Sequence, residues 1–191
     1  MGGDSLVKIK IIEEAGYLPA LLGMGLSFGA TSSFNLEQLS NSGRLKTQLK
    51  ERADKLFDKG LGHNKFLESI VVWLDVTAPL YWWKEADTYR LSTKQSESTI
   101  HSLMKKEINK DMFEGKINIS NLITLEVFRE DKNFDSLNKN LPHSFLQRRI
   151  WCMNYMCLRN IIQQRKNHKL DEWKLFCKEI LEQAEHSEFL K

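Results

Sequence analysis

The chain reads as an α/β (α+β) protein, a mixed sheet with flanking helices built as one domain over residues 1–191. Three observations predict this. Residues 69 to 77, SIVVWLDVT, alternate apolar and polar positions over a β-branched run, as a half-buried strand does. Residues 170 to 184 instead repeat their apolar side chains at helical period: Leu170, Trp173, Phe176, Cys177, Ile180, Leu181 and Ala184. Strand-like and helix-like stretches of these kinds alternate along the chain, with no Pro/Gly/Ser-rich linker, internal repeat or low-complexity tract to mark a boundary.

Each element has its own cause. Residues 6 to 12, LVKIKII, form a first strand by alternation, and Gly16 punctuates it. YLPALLGMGLSFG predicts a short apolar helix weakened by Gly23 and Gly25. From Ser33 to Gly60 the spacing of Leu36, Leu39, Leu45, Leu49, Ala53 and Leu56 fits an amphipathic helix in two parts, broken near Asn41–Gly43. In the 69–77 strand, Ile70, Val72, Leu74 and Val76 share one face, while Trp73, Asp75 and Thr77 share the other. Pro79 opens the next helix, where its missing N–H is not needed. Trp82, Ala86 and Tyr89 fall on one stripe of that helix, and Trp83, Asp87 and Arg90 on a second. KQSEST reads as a hydroxyl-rich loop. Residues 100 to 140 predict short helices joined by polar loops, LPHSFLQRRIWCMN a strand, and YMCLRNIIQQR a helix that Asn154 can cap.

Composition narrows the function. A chain of 191 residues can bury a substantial core, and 41% hydrophobic with 28% charged residues is ordinary for a globular protein. Basic residues number 28 against 25 acidic, and a net charge of +3 is too mild to make nucleic acid the main partner. No apolar run approaches the roughly 20 residues that span a bilayer. MGGDSLVKIKII has no signal-peptide core and no Ser or Thr where the myristoylation pattern wants one, so a cytoplasmic protein is expected. Cys152, Cys157 and Cys177 are odd in number and lack CxxC spacing, so neither a disulfide frame nor a metal is indicated.

The most informative stretch is Gly62 to Ser98. His63 and Glu68 precede the strand, Ala78-Pro79 follow it, and Thr88-Tyr89-Arg90, Thr93 and Ser98 come next. This order and spacing resembles the core signature of the flavin-dependent thymidylate synthases, where an Arg-His-Arg triplet, two serines and a further arginine stand at these places. Asn154, Asn160 and Arg165 extend the resemblance through NLPHSFLQRRIWCMNYMCLRNIIQQR, and a weaker likeness covers the opening strand and LLGMGLSFG. Together the similar blocks span about half the chain. Arginine is replaced by Thr88, Ile100 and Met156, the histidine of the triplet by Tyr89, and a nucleotide-holding glutamine by Glu85.

The resemblance implies a homotetramer with pockets between subunits, and a reaction in which FAD and a folate methylene donor methylate dUMP, a pyrimidine nucleotide. It implies cofactor contacts for His63, Glu68, Arg90, Asn154 and Asn160, and substrate contacts for Glu85, Ser98 and Arg165. It names no catalytic side chain. Charged hydrogen bonds are worth roughly 1.5–3 kcal/mol each, so three lost arginines cost orders of magnitude in phosphate affinity unless other cations replace them. Lys84, Lys94, Lys139, Arg148 and Arg149 are the candidates. The alternative is a nucleotide-binding or sequestering relative that has lost flavin chemistry. Plain readings exist for the same residues: Arg90 can pair with Glu85 or Asp87, Trp82 and Trp83 can be core, and Arg165, read as a surface helix end, is expected to contribute little to stability.

Overall fold

Strand β2, Val71–Pro79, is the centre of the molecule, which the computed structural model describes over residues 7–29 and 33–191. Its alternation is real: Val72, Leu74, Val76 and Ala78 are fully buried, whereas Trp73, Asp75 and Thr77 look outward from the other face. β1 (Lys8–Ala15) flanks it on one side and β4 (Leu146–Asn154) on the other, and β3 (Ser92–Ser96) lies beyond β4, giving the order β1-β2-β4-β3. Leu6, part of the expected first strand, lies outside the described residues. Among the described residues every strand pair is antiparallel, which corrects the expected mixture of strand directions. The reason lies in the connections. Ala15 is paired with Val71 and Pro79 with Leu146, so each long excursion returns to the end of the sheet that it left.

The helices follow the apolar patterning. α1 (Tyr17–Leu26), α2 (Leu36–Asn41) and α3 (Gly43–Leu56) form the first excursion. The break between α2 and α3 falls at Ser42, whose hydroxyl accepts from the Leu45 N–H and starts the second piece. α4 (Leu80–Ala86) begins directly after Pro79. It ends before Arg90, so the stripe expected to join Trp83, Asp87 and Arg90 does not form; Trp83 is fully buried and Arg90 exposed. KQSEST is also corrected, because Lys94–Ser96 belong to β3, zipped to β4 by backbone bonding that needs no apolar side chains.

α5 (Thr99–Leu103), α6 (Ile119–Glu130) and α7 (Phe134–Asn140) enclose a small second core of Leu103, Ile108, Phe113, Leu125, Leu137 and Phe145. α8 (Tyr155–Arg165) and α9 (Asp171–Gln183) close the main core over the sheet. Gln183 of α9 also covers the outer edge of β1, accepting from the Ile11 N–H at 2.9 Å and donating to the Ile9 carbonyl at 3.1 Å. No helix among the described residues is long and apolar enough to cross a membrane.

Candidate functional site

Arg165, at the last position of α8, is held on several sides by polar and aromatic neighbours. Its Nε donates to the Tyr89 hydroxyl at 2.7 Å and its Nη1 to Glu85 Oε2 at 2.8 Å. The guanidinium lies over the Trp173 ring at 4.8 Å, a cation–π arrangement. Trp173 is itself fully buried and donates its indole N–H to the same Glu85 oxygen at 2.9 Å. His168 joins the network through both ring nitrogens: Nε2 lies 2.9 Å from Arg165 Nη1, an obligate donor, and 3.5 Å from Glu85 Oε2, while Nδ1 faces the Leu170 N–H at 3.2 Å. Tyr89 completes the group by donating to Gln164 at 3.1 Å.

α4, α8 and α9 thus bring Glu85 and Arg165, two of the expected substrate residues, into one network. Arg165 is no loose surface side chain: only 18% of it is exposed, and Tyr89, Glu85, His168 and Trp173 hold it. The expectation that it contributes little to stability is corrected by those contacts.

His63 and Glu68 sit elsewhere. The 3-10 turn Lys65–Ser69 and α1 face each other across a cavity of about 650 Å³, lined by His63, Lys65 and Glu68 with Met24, Phe28 and Leu56 among its apolar walls. Gly23 and Gly62 also line it, and a Cβ at either would meet nothing within 4 Å. Such a chamber suits a flat ring held by a few polar groups. Its charged lining is Lys65 and Glu68, so within one protomer it fits the ring portion of FAD and falls short of a grip for the pyrophosphate.

The other expected residues are spread out. Asn154 caps α8, accepting the Cys157 N–H at 2.9 Å, a role sufficient to explain its presence there. It lies at the cavity end of α8, because Val71 is its partner in the sheet and the Tyr155 N–H bonds to the Ile70 carbonyl. Arg165 ends the same helix, about 16 Å away by helical rise. Asn160 is exposed on the middle of α8. Arg90 is exposed beyond Tyr89 and pairs with neither Glu85 nor Asp87, which are taken by Arg165 and by Arg149 and Lys94. Ser98 stands at the start of α5, its hydroxyl 2.8 Å from His101 Nδ1. It follows Glu97, whose N–H bonds to the Arg148 carbonyl near the opposite end of β4 from Asn154. One protomer therefore holds these side chains in separate places.

The substitute cations are mostly engaged. Arg148 forms a paired bond with Asp75 at 2.8 and 2.6 Å, which holds the Asp75 carboxyl below the usual carboxylate range. Arg149 pairs with Asp87 at 3.0 Å and lies over Trp83, and Lys139 pairs with Asp135 at 2.6 Å. Lys94 donates to the Tyr89 carbonyl and Ser92 and lies over Trp151; burial lowers its pKa from the ordinary lysine value. Lys84 faces the ring nitrogens of His143. Burial pushes the Cys177 thiol up to about 11 and raises Cys152 and Cys157 as well, so none is an activated thiol.

Sequence reasoning missed three members of the Arg165 network. Trp173 was visible as part of an apolar stripe, and Tyr89 as a stripe member with Trp82 and Ala86 and as a departure from the triplet, neither as a partner of Arg165. His168 lies in the loop between α8 and α9, where no periodicity singles it out.

No protein-family model matches the chain, and no curated protein is significantly similar to it. Its fold, however, has well-matched counterparts among solved structures. The flavin-dependent thymidylate synthase ThyX from Helicobacter pylori, complexed with FAD and dUMP, is similar at a TM-score of 0.75 and 15% identity, over 96% of this chain and 98% of that one. A second crystal structure of the same enzyme with FAD and dUMP gives a TM-score of 0.73 at 15% identity, over 96% of both chains. The UMP/dUMP methylase PolB from Streptomyces cacaoi, bound with 5-Br dUMP, gives 0.66 at 9% identity, over 96% of this chain and 94% of that one. Over 96% of its length, the chain has the fold of the flavin-dependent thymidylate synthases.

Proposed function

We propose that this protein binds a pyrimidine nucleotide of the dUMP kind and FAD, as a cytoplasmic thymidylate synthase-like homotetramer that carries out reductive methylation. The observation that carries this reading is the match of nearly the whole chain to two structures that hold FAD and dUMP together, with Arg165 and Glu85 gathered over Trp173. Arg165, Glu85 and Ser98 are assigned to the nucleotide. His63, Glu68, Arg90, Asn154 and Asn160 are assigned to the flavin, which when bound supplies the electrons that reduce the methylene group of a folate donor. Assembly is what would bring these groups together, since one protomer keeps them apart. A second reading, a nucleotide binder without flavin chemistry, is favoured by one observation: Arg148, Arg149 and Lys139 are each paired with a carboxylate.

Sedimentation and flavin absorbance, measured on the same purified protein, separate these readings. A tetramer at micromolar concentration that takes up FAD and loses it on dilution is the expected result. A tetramer that binds dUMP but no FAD at any concentration leaves the second reading, and a monomer that binds both ligands removes the shared pocket.

Arg165→Ala gives an independent test. It is expected to weaken dUMP binding by about 1.5–3 kcal/mol in calorimetry, with Arg165→Lys only a partial rescue because lysine lacks the planar fork. Its network adds a stability cost of about 1–3 kcal/mol, discounted for the partial exposure of Glu85. Unchanged dUMP affinity, or equal affinity of the parent protein for a purine nucleotide, would remove the pyrimidine assignment.

A further inference from the structure

The Arg165–Glu85 pair is already complete without a ligand, and this limits what Arg165 can take. Nε is committed to Tyr89, Nη1 to Glu85 and to His168 Nε2 at 2.9 Å, and one face of the guanidinium to Trp173. Among the described residues, Nη2 has no hydrogen-bond partner. Glu85 spends one oxygen, Oε2, on both Arg165 and Trp173, and its Oε1 likewise has no hydrogen-bond partner among the described residues. What the pair offers outward is therefore the two N–H groups of Nη2 and one carboxylate oxygen, with little net charge. The remaining titratable groups facing it, His168 and Tyr89, are themselves in contact with Arg165, at Nη1 and Nε respectively.

We infer that Glu85 is the specificity-determining residue of this position: as a built-in counter-anion it bars phosphate from Arg165 and reserves the pair for an uncharged ring edge. A phosphate reaching Nη2 would have to sit beside the Glu85 carboxylate or displace it, leaving an unpaired, half-buried charge. A ring edge with a carbonyl beside an N–H, such as the imide of uracil, bonds to Nη2 and Oε1 together and separates no ions. The ring assignment rests on the pyrimidine-nucleotide reading above. The exclusion of phosphate rests on the geometry of the pair alone. The nucleotide's phosphate must accordingly be held by other groups.

The test titrates inorganic phosphate into the intact protein and its variants, following the heat of binding and the Trp173 indole N–H resonance, which reports on Glu85. Glu85→Gln removes the charge but keeps an acceptor for Trp173, so the melting temperature should change little. The parent should show no phosphate response at this resonance in the low millimolar range, and Glu85→Gln should gain at least tenfold in phosphate affinity. Glu85→Ala has to show the same gain, Glu85→Asp should remain like the parent, and the gain should vanish in Glu85→Gln/Arg165→Ala. Equal phosphate binding in parent and Glu85→Gln, or a gain that survives loss of Arg165, overturns the counter-anion role. In a parallel titration with deoxyuridine, binding by neither the parent nor Glu85→Gln overturns the ring assignment and with it the pyrimidine reading, while the phosphate result still decides the role of Glu85.

Discussion

Trp173→Ala is expected to lower the stability of the protein by about 3–5 kcal/mol, the scale for truncating a large buried aromatic side chain. Trp173 is fully buried, with the rings of Trp82, Phe176 and Tyr89 centred 4.3, 5.6 and 6.1 Å away. Trp82 stands on α4, Tyr89 in the segment that follows it and Phe176 on α9 itself, so collapse into the vacated space would have to move more than one element and much of the cavity should persist. The same truncation takes away the indole donor of Glu85 and the platform under Arg165. Trp173→Phe separates the two effects: it keeps most of the ring packing and loses the N–H, and should cost only about 1–2 kcal/mol because water can reach the half-exposed Glu85 carboxylate. Urea denaturation of the three proteins, with unchanged slopes, measures both numbers. A loss below about 1.5 kcal/mol for Trp173→Ala would mean that the aromatic layer repacks freely and does not fix the geometry around Arg165.

The ease of reading each part of this molecule depended on whether its cause is local. β2 was legible because a two-residue period is written into SIVVWLDVT, and α9 because its apolar stripe continues through four turns. The break at Ser42 was legible because helix capping is a matter of neighbouring residues. Strand direction was not legible, since it depends on where an excursion of more than fifty residues comes back to the sheet. Nor was β3, whose STKQS sequence gains strand structure from pairing with β4 rather than from its own side chains.

The candidate site divides in the same way. Arg165 and Glu85 were singled out by the resemblance to the flavin-dependent thymidylate synthases, yet their mutual bond crosses 80 residues of sequence and could not be inferred from either stretch. For Asn154 the local cause, a helix cap, was visible from the start and accounts for its contact in the protomer.

Gly16→Ala is expected to cost about 2–5 kcal/mol, although it adds a single methyl group. Gly16 has φ of 92°, a left-handed conformation that an L side chain adopts only under strain. Space is also lacking, because a Cβ at this position would stand 2.3 Å from the carbonyl oxygen of Ser69. That oxygen is backbone, at the end of the 3-10 turn leading into β2, so no side-chain rotation relieves the clash; β1 and β2 must move apart or α1 must swing away. Either movement reshapes the cavity, since α1 supplies one wall of it and Lys65–Ser69 the other. FAD uptake should therefore fall together with the melting temperature. Gly23→Ala is the matched comparison on the same helix. Its added methyl group meets nothing within 4 Å, and replacing a helical glycine by alanine should stabilise α1 by about 0.5–1 kcal/mol. Opposite signs for the two substitutions, read by thermal and urea unfolding, are the expected result. Equal and small effects would show that the close approach between Gly16 and Ser69 does not hold α1 against the start of β2.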